Sequence, residues 1–146
     1  MTLFSHEHFM REALRLASQA AQEEEVPIGA VVVAGDRIVG KGYNQTERLH
    51  DVTAHAEMIA LTAASNFFAS KYLTDCTLYC TIEPCPMCAA AIAWAQISRV
   101  VYGAADPKKG YTLFKPSLLP RRVEVVRGIL EAECAALMQQ FFRQRR

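Results

Sequence analysis

The strongest constraint on this chain is a set of three soft metal ligands drawn from two separate segments. His55 lies in Thr53-Ala54-His55-Ala56-Glu57, and Cys85 and Cys88 lie in Glu83-Pro84-Cys85-Pro86-Met87-Cys88. A fold that uses them as one site must bring the start of the first segment against the second. The number of donors is as informative as their identity. A structural zinc is enclosed by four side chains, whereas a catalytic zinc keeps three and leaves a position for water. Three donors leave that position open, and Glu57, two residues from the histidine, is a carboxylate that can take the water's proton.

The spacing has a physical reason. A cysteine at the start of a helix and another three residues on share one face, so one ion can bind both thiolates. The free N–H groups of that first turn favour negative sulfur by about 0.3–1 kcal/mol per charge. Two thiolates cancel the formal charge of Zn²⁺, which makes it a milder Lewis acid and raises the importance of a nearby base. Taken alone, Cys-x-x-Cys also fits half of a structural zinc site or a redox pair. Its occurrence with His-x-Glu and Pro84 points to catalytic zinc. Of the remaining candidates for a fourth ligand, Cys80 and Cys134 read as small apolar packing residues, Cys76 as a strand-edge thiol and His50 as a loop histidine.

Around these segments the pattern alternates helix and strand. Phe9, Ala13, Leu16, Ala17 and Ala20 recur at helical spacing after Ser5, an N-cap candidate; the acids Glu23 to Glu25 sit at the wrong end for the helix dipole and predict fraying before a turn at Pro27. Residues 28–34 and 37–42 are β-rich runs joined by Gly35-Asp36, a tight hairpin. Polar residues 43–51 read as a loop. Residues 55–65 then read as a helix capped by Asp51 or Thr53. Strands are expected at 77–82, 99–103 and 123–126, with helices at 86–96 and from about Ile129, and a long irregular loop over 104–120. The resulting class is α/β, with helices on both faces of a sheet that the opening hairpin makes mixed.

With 146 residues, 51% of them hydrophobic, the chain suits one domain, residues 1–146, with a single sizeable core. The absence of a leader pattern and of any membrane-length apolar run, together with an odd count of five cysteines, gives the expectation of a soluble protein in the reducing cytoplasm, with no membrane partner. A net charge of +1 excludes a chain that is basic throughout, so any polyanion must meet local patches. Two such patches are present: Arg143, Arg145 and Arg146 at the end, and Lys108, Lys109, Lys115, Arg121 and Arg122 before it.

His55-Ala56-Glu57 with Pro84-Cys85-Pro86-Met87-Cys88 resembles the signature of the cytidine deaminase superfamily. Within it, the chain is similar almost end to end to the bacterial tRNA-specific adenosine deaminases, through Ser5-His6-Glu7, Glu25-Val26-Pro27-Ile28-Gly29-Ala30, Thr53-Ala54-His55-Ala56-Glu57, Glu133-Cys134-Ala135-Ala136-Leu137 and Phe141-Phe142-Arg143. The resemblance implies a three-layer cytidine deaminase-like fold with about five strands, a homodimer, one zinc per subunit, and conversion of adenosine to inosine at the wobble position of a tRNA anticodon stem-loop. Residue by residue it makes His55, Cys85 and Cys88 the zinc ligands and Glu57 the proton shuttle. It also implies nucleoside contact by Asn44, base-pocket walls from Ile28 and Ala54, RNA backbone contact by Asp106, and anticodon contacts from Phe142, Arg143, Arg145 and Arg146.

Residues 107–120 depart from the small, Gly-rich stretch typical of that family, and Pro86 stands where a small aliphatic residue is common. Proline suits a first helical turn and should be harmless. The loop bears on the choice among three functions. In the first, a tRNA adenosine leaves the stack and water activated by the metal attacks adenine C6. In the second, the same chemistry acts on a free base or nucleoside such as guanine or cytosine, for which the terminal arginines have no use. The third is a zinc-stabilised RNA-binding protein without catalysis, which would be indifferent to loss of the Glu57 carboxylate.

Overall fold

The computed structural model, which describes residues 4–145, is a mixed five-stranded sheet between two layers of helices. Ser5 caps α1 (His6–Gln22) as expected, its hydroxyl accepting the His8 N–H at 3.1 Å. The stripe Phe9, Met10, Ala13, Ala17 and Ala20 is buried. The acids after α1 do not fray. Glu25 is 1% exposed and its carboxylate accepts the N–H groups of Glu47 and Arg48 at 3.1 and 2.7 Å, while Glu23 holds the Tyr43 hydroxyl and the Arg48 guanidinium. These bonds anchor a short helix, α2 (Thr46–Leu49), inside the stretch expected to be loop. Its capping carboxylate lies 22 positions away in the chain, so no local pattern announces it.

β1 (Gly29–Ala34) and β2 (Arg37–Tyr43) form the expected hairpin, with Gly35 at φ +63° in the two-residue turn. β3 (Cys76–Ile82) pairs antiparallel with β1. β4 (Arg99–Ala104) and β5 (Glu124–Val126) then add in parallel, giving the order β2-β1-β3-β4-β5. Successive residues of β1 serve opposite layers. Ala30 and Val32 pack with α3 (Ala56–Phe68) and α4 (Pro86–Trp94), whereas Val31 and Val33 pack with α1 and α5 (Glu131–Gln144).

Small residues fix the height at which α3 sits. A Cβ on Gly40 would meet the Ala60 carbonyl and the Ala64 N–H, and one on Gly42 the Ala56 carbonyl and the Ala60 N–H. Strand and helix backbones therefore touch without side chains between them, and the first turn of α3, which follows His55 and carries Glu57, has one position over the sheet. Within the loop expected over 104–120, Ala104 still belongs to β4 and Tyr111–Leu113 form a short 3₁₀ turn. The turn exists because Tyr111 is buried in the core beneath it.

Gly42→Ala is expected to destabilise the protein by about 1–3 kcal/mol, the usual cost of overpacking, and to reduce zinc retention because α3 must lift. Urea titration with metal analysis checks both; an unchanged midpoint contradicts the seating of α3 on β2.

Candidate active site

Two helix starts converge above the sheet, and a candidate ligand occupies the N-cap position of each. His55 precedes α3 with φ −74° and ψ 153°, and Cys85 precedes α4 with φ −74° and ψ 170°; neither side chain caps its own helix. The expected cap of α3 by Asp51 or Thr53 is not made. Asp51 instead accepts the Thr53 N–H and hydroxyl at 2.8 and 2.7 Å, closing a local turn just upstream of His55. Both first turns thus keep N–H groups free of side-chain caps at the site, which favours negative charge there.

His55 Nδ1 lies 3.6 Å from Cys85 Sγ and 3.5 Å from Cys88 Sγ, and the three ligand atoms all fall within 4.8 Å of one another. A tetrahedral zinc with Zn–N near 2.0 Å and Zn–S near 2.3 Å spaces nitrogen and sulfur ligands about 3.5 Å apart. Donor set and spacing therefore fit zinc. Among the described residues no fourth histidine, cysteine or carboxylate joins this group. Cys76, Cys80 and Cys134 are buried apart from it, and His50 is exposed in a left-handed turn at the end of α2.

The three side chains polarise one another. The Cys85 thiol is lowered to about 4, by a hydrogen bond from Cys88 and then by its contact with His55. Cys88, as the partner that keeps the proton, is raised, and His55 is raised by its bond to Cys85. Glu57, 3% exposed in the first turn of α3, is pushed up to about 7 by burial. A divalent cation beside it opposes that shift and favours the carboxylate.

A pocket of about 570 Å³ opens over the triangle and Glu57. Comparison with known proteins agrees with this geometry. The MafB19-like deaminase family profile matches residues 4–146. The tRNA-specific adenosine deaminase of Streptococcus pyogenes serotype M18 is 44% identical over 144 residues, 95% of this chain and 91% of the relative. That of Agrobacterium fabrum is 42% identical over 144 residues, 95% of each chain. A solved structure from a study of A-to-I editing by tRNA:A34 deaminases at the wobble position of transfer RNA superposes with a TM-score of 0.82 at 40% identity, covering 89% of this chain and 98% of the other. The chain belongs to the tRNA-specific adenosine deaminase family.

In this member of the tRNA-specific adenosine deaminase family the pocket gathers most of the expected site residues. Ile28, Asn44, His55, Glu57, Cys85, Asp106 and Phe142 line it, and Cys88 lies buried beneath. Ala54 does not. It is 4% exposed, and its carbonyl accepts the Gln45 N–H, tying the exit of β2 to the start of α3. The Asp106 carboxylate accepts the N–H groups of Lys108 and Lys109, both at 3.0 Å, and so shapes its own turn. Arg143 lines an adjoining depression of about 620 Å³. Arg145 faces another way: its guanidinium stacks over Phe141 and donates to the Glu24 carbonyl. Arg146 lies outside the described residues.

The structure adds residues that the sequence reading passed over. Val26, Thr46, Ala56, Ile82, Glu83 and Met138 complete the pocket wall, and Lys108 and Lys109, counted before only as part of a basic stretch, stand at it too. Glu83 is the clearest omission. It is 4% exposed, and an acid at the end of an apolar strand was the available signal.

Cys85→Ser and Cys88→Ser are expected to lose bound zinc, while Cys134→Ser keeps one ion per chain. Metal analysis after gel filtration checks this, and full zinc retention by both ligand variants would contradict the assigned set.

Proposed function

We propose that this protein is a single-domain, zinc-dependent hydrolase that converts adenosine to inosine at the wobble position of a tRNA anticodon stem-loop, releasing ammonia. The observation that carries the reading is the open side of the His55, Cys85 and Cys88 triangle, which faces a pocket with Glu57 on its wall. Relatives named tRNA-specific adenosine deaminase over nearly the whole chain support it. Zinc held there supplies the charge that lowers the pKa of water to near neutrality. The remaining steps fall to the chain's own groups.

Glu57 accepts a proton from the attacking water and delivers it to adenine N1, which makes C6 more electrophilic. The second water proton leaves with the amine at C6, so water is consumed, the C6–N bond breaks and ammonia departs. Burial of Glu57 suits a group that must hold a proton between those transfers. Asn44, 6% exposed on the pocket wall, brings an amide donor and acceptor for the nucleoside, and Ile28 supplies an apolar wall for the base. Reaching this pocket requires the base to leave the loop stack.

Recognition of the RNA falls to the rim. Lys108 and Lys109 at the mouth, with Arg143 and the half-exposed Phe142 beside them, supply cations for phosphate and a ring for stacking. Arg145 is already engaged within the chain, so the terminal cluster is divided between internal anchoring and RNA contact. No described helix is long and apolar enough to cross a membrane. Five free thiols suit the reducing cytoplasm. We infer pairing with a second copy of the chain, for which exposed apolar side chains such as Val52 and Trp94 are available.

The test is inosine formation by zinc-loaded protein on an anticodon stem-loop with adenosine at the wobble position, run beside free adenosine, guanine and cytosine. Turnover of the stem-loop alone is expected; turnover of a free base with inert RNA would make this a nucleobase deaminase. Glu57→Gln should keep its zinc and lose at least ~10²-fold in kcat. A fully active Glu57→Gln would exclude the proton-shuttle role.

A further inference from the structure

The segment that carries Lys108 and Lys109 is built around a side chain with no part in the chemistry above. Glu83 follows β3, with its carboxylate turned into the 105–114 loop. One oxygen accepts the Asp106 N–H at 3.1 Å; the other accepts the Thr112 N–H at 3.0 Å and the Thr112 hydroxyl at 2.7 Å. Both ends of one turn are thus pinned to a single buried group.

Between those anchors the backbone closes on itself. The Gly110 N–H reaches the Asp106 carbonyl at 2.9 Å, and the Tyr111 N–H reaches the Pro84 carbonyl at 2.9 Å. A Cβ at position 110 would fall on the Glu83 carboxylate and displace it, so glycine gives that group its room. Tyr111 is 3% exposed, so the far side of the turn is nailed into the core. What this scaffold presents outward is Lys108 and Lys109, both exposed at the pocket mouth.

We propose that Glu83 is a positioning residue for the RNA substrate: it fixes the 106–112 turn so that Lys108 and Lys109 meet the phosphates flanking the nucleoside in the pocket. The inference rests on the RNA reading above and deepens it. Glu83 also lines the pocket, but both of its carboxylate oxygens are taken by Asp106 and Thr112, so it acts through the loop and leaves the reacting atoms to Glu57. Glutamine at this position offers one acceptor where two are used, so an NH₂ group must face a backbone N–H and one anchor opens. Thr112→Val removes only the hydroxyl bond. Thr112 is absent from the pocket wall, so this variant reaches the substrate through the loop alone.

The experiment measures kcat, KM, zinc content and salt dependence on the stem-loop for the zinc-loaded wild type, Glu83→Gln, Thr112→Val, the double variant Lys108→Ala/Lys109→Ala and the triple variant that adds Glu83→Gln to it. The expected result is a rise in KM of about tenfold for Glu83→Gln and about threefold for Thr112→Val, with kcat and zinc content held. The slope of log KM against log salt should become shallower by about one in Glu83→Gln, as lysines leave the phosphates. Adding Glu83→Gln to the double lysine variant should change KM little further, since both act through one contact. A fall in kcat for Glu83→Gln beside a wild-type-like Thr112→Val would place Glu83 at the reacting atoms and overturn the proposal, as would an unchanged KM and salt slope in both. If Glu83→Gln loses zinc or fails to fold, Thr112→Val decides by the same KM and salt criteria. Failure of the underlying RNA reading shows separately, as a wild type inert on the stem-loop.

Discussion

The site depends on the close approach of α3 to the hairpin. Gly40 and Gly42 on one side and Ala56, Ala60 and Ala64 on the other let backbone meet backbone, so α3 begins at one height above the sheet. α4 begins where β3 ends, after the short link Glu83-Pro84. With both helix starts placed in this way, the N-cap positions His55 and Cys85 face each other and Cys88 follows three residues on. Three candidate ligands and the first turns of two helices then share one small volume. An extra methyl on the strand would separate them without touching any ligand.

That arrangement divides the work. The triangle and Glu57 are buried or half-buried, where electrostatic interactions are strong and water is scarce. The cations that suit RNA stand outside on a loop, exposed to salt and solvent. Glu83 joins the two regions, since it leads into Pro84-Cys85 on one side and holds the Lys108-Lys109 turn on the other. Within 107–120, Gly110 leaves room for the Glu83 carboxylate and Tyr111 anchors the loop in the core.

Much of this was legible in the sequence because it depends on local pattern. The hairpin at Gly35-Asp36, the Ser5 cap and the grouping of His55, Cys85 and Cys88 were all read from spacing and residue type, and the three-layer mixed sheet follows from the alternation of elements. The misreadings share one physical origin, side chains whose partners are remote in the chain. Glu25 read as fraying because its use is to cap α2, and 43–51 read as loop for the same reason. Asp51 or Thr53 was expected to cap the helix start, yet the two bond each other in a local turn instead. Arg145, to which the family resemblance gives an RNA contact, is in addition held within the chain by Phe141 and the Glu24 carbonyl. Glu83 carried a signal in its burial context, but its partners lie 23 and 29 positions away.

The central claim is that three protein donors hold zinc and leave its fourth position for water. Zinc K-edge X-ray absorption on the metal-loaded protein tests it most directly. One nitrogen, two sulfurs and one further light-atom ligand are expected. A shell of three or four sulfurs would mean that Cys80 or another thiol closes the site, and the catalytic reading would fall with it.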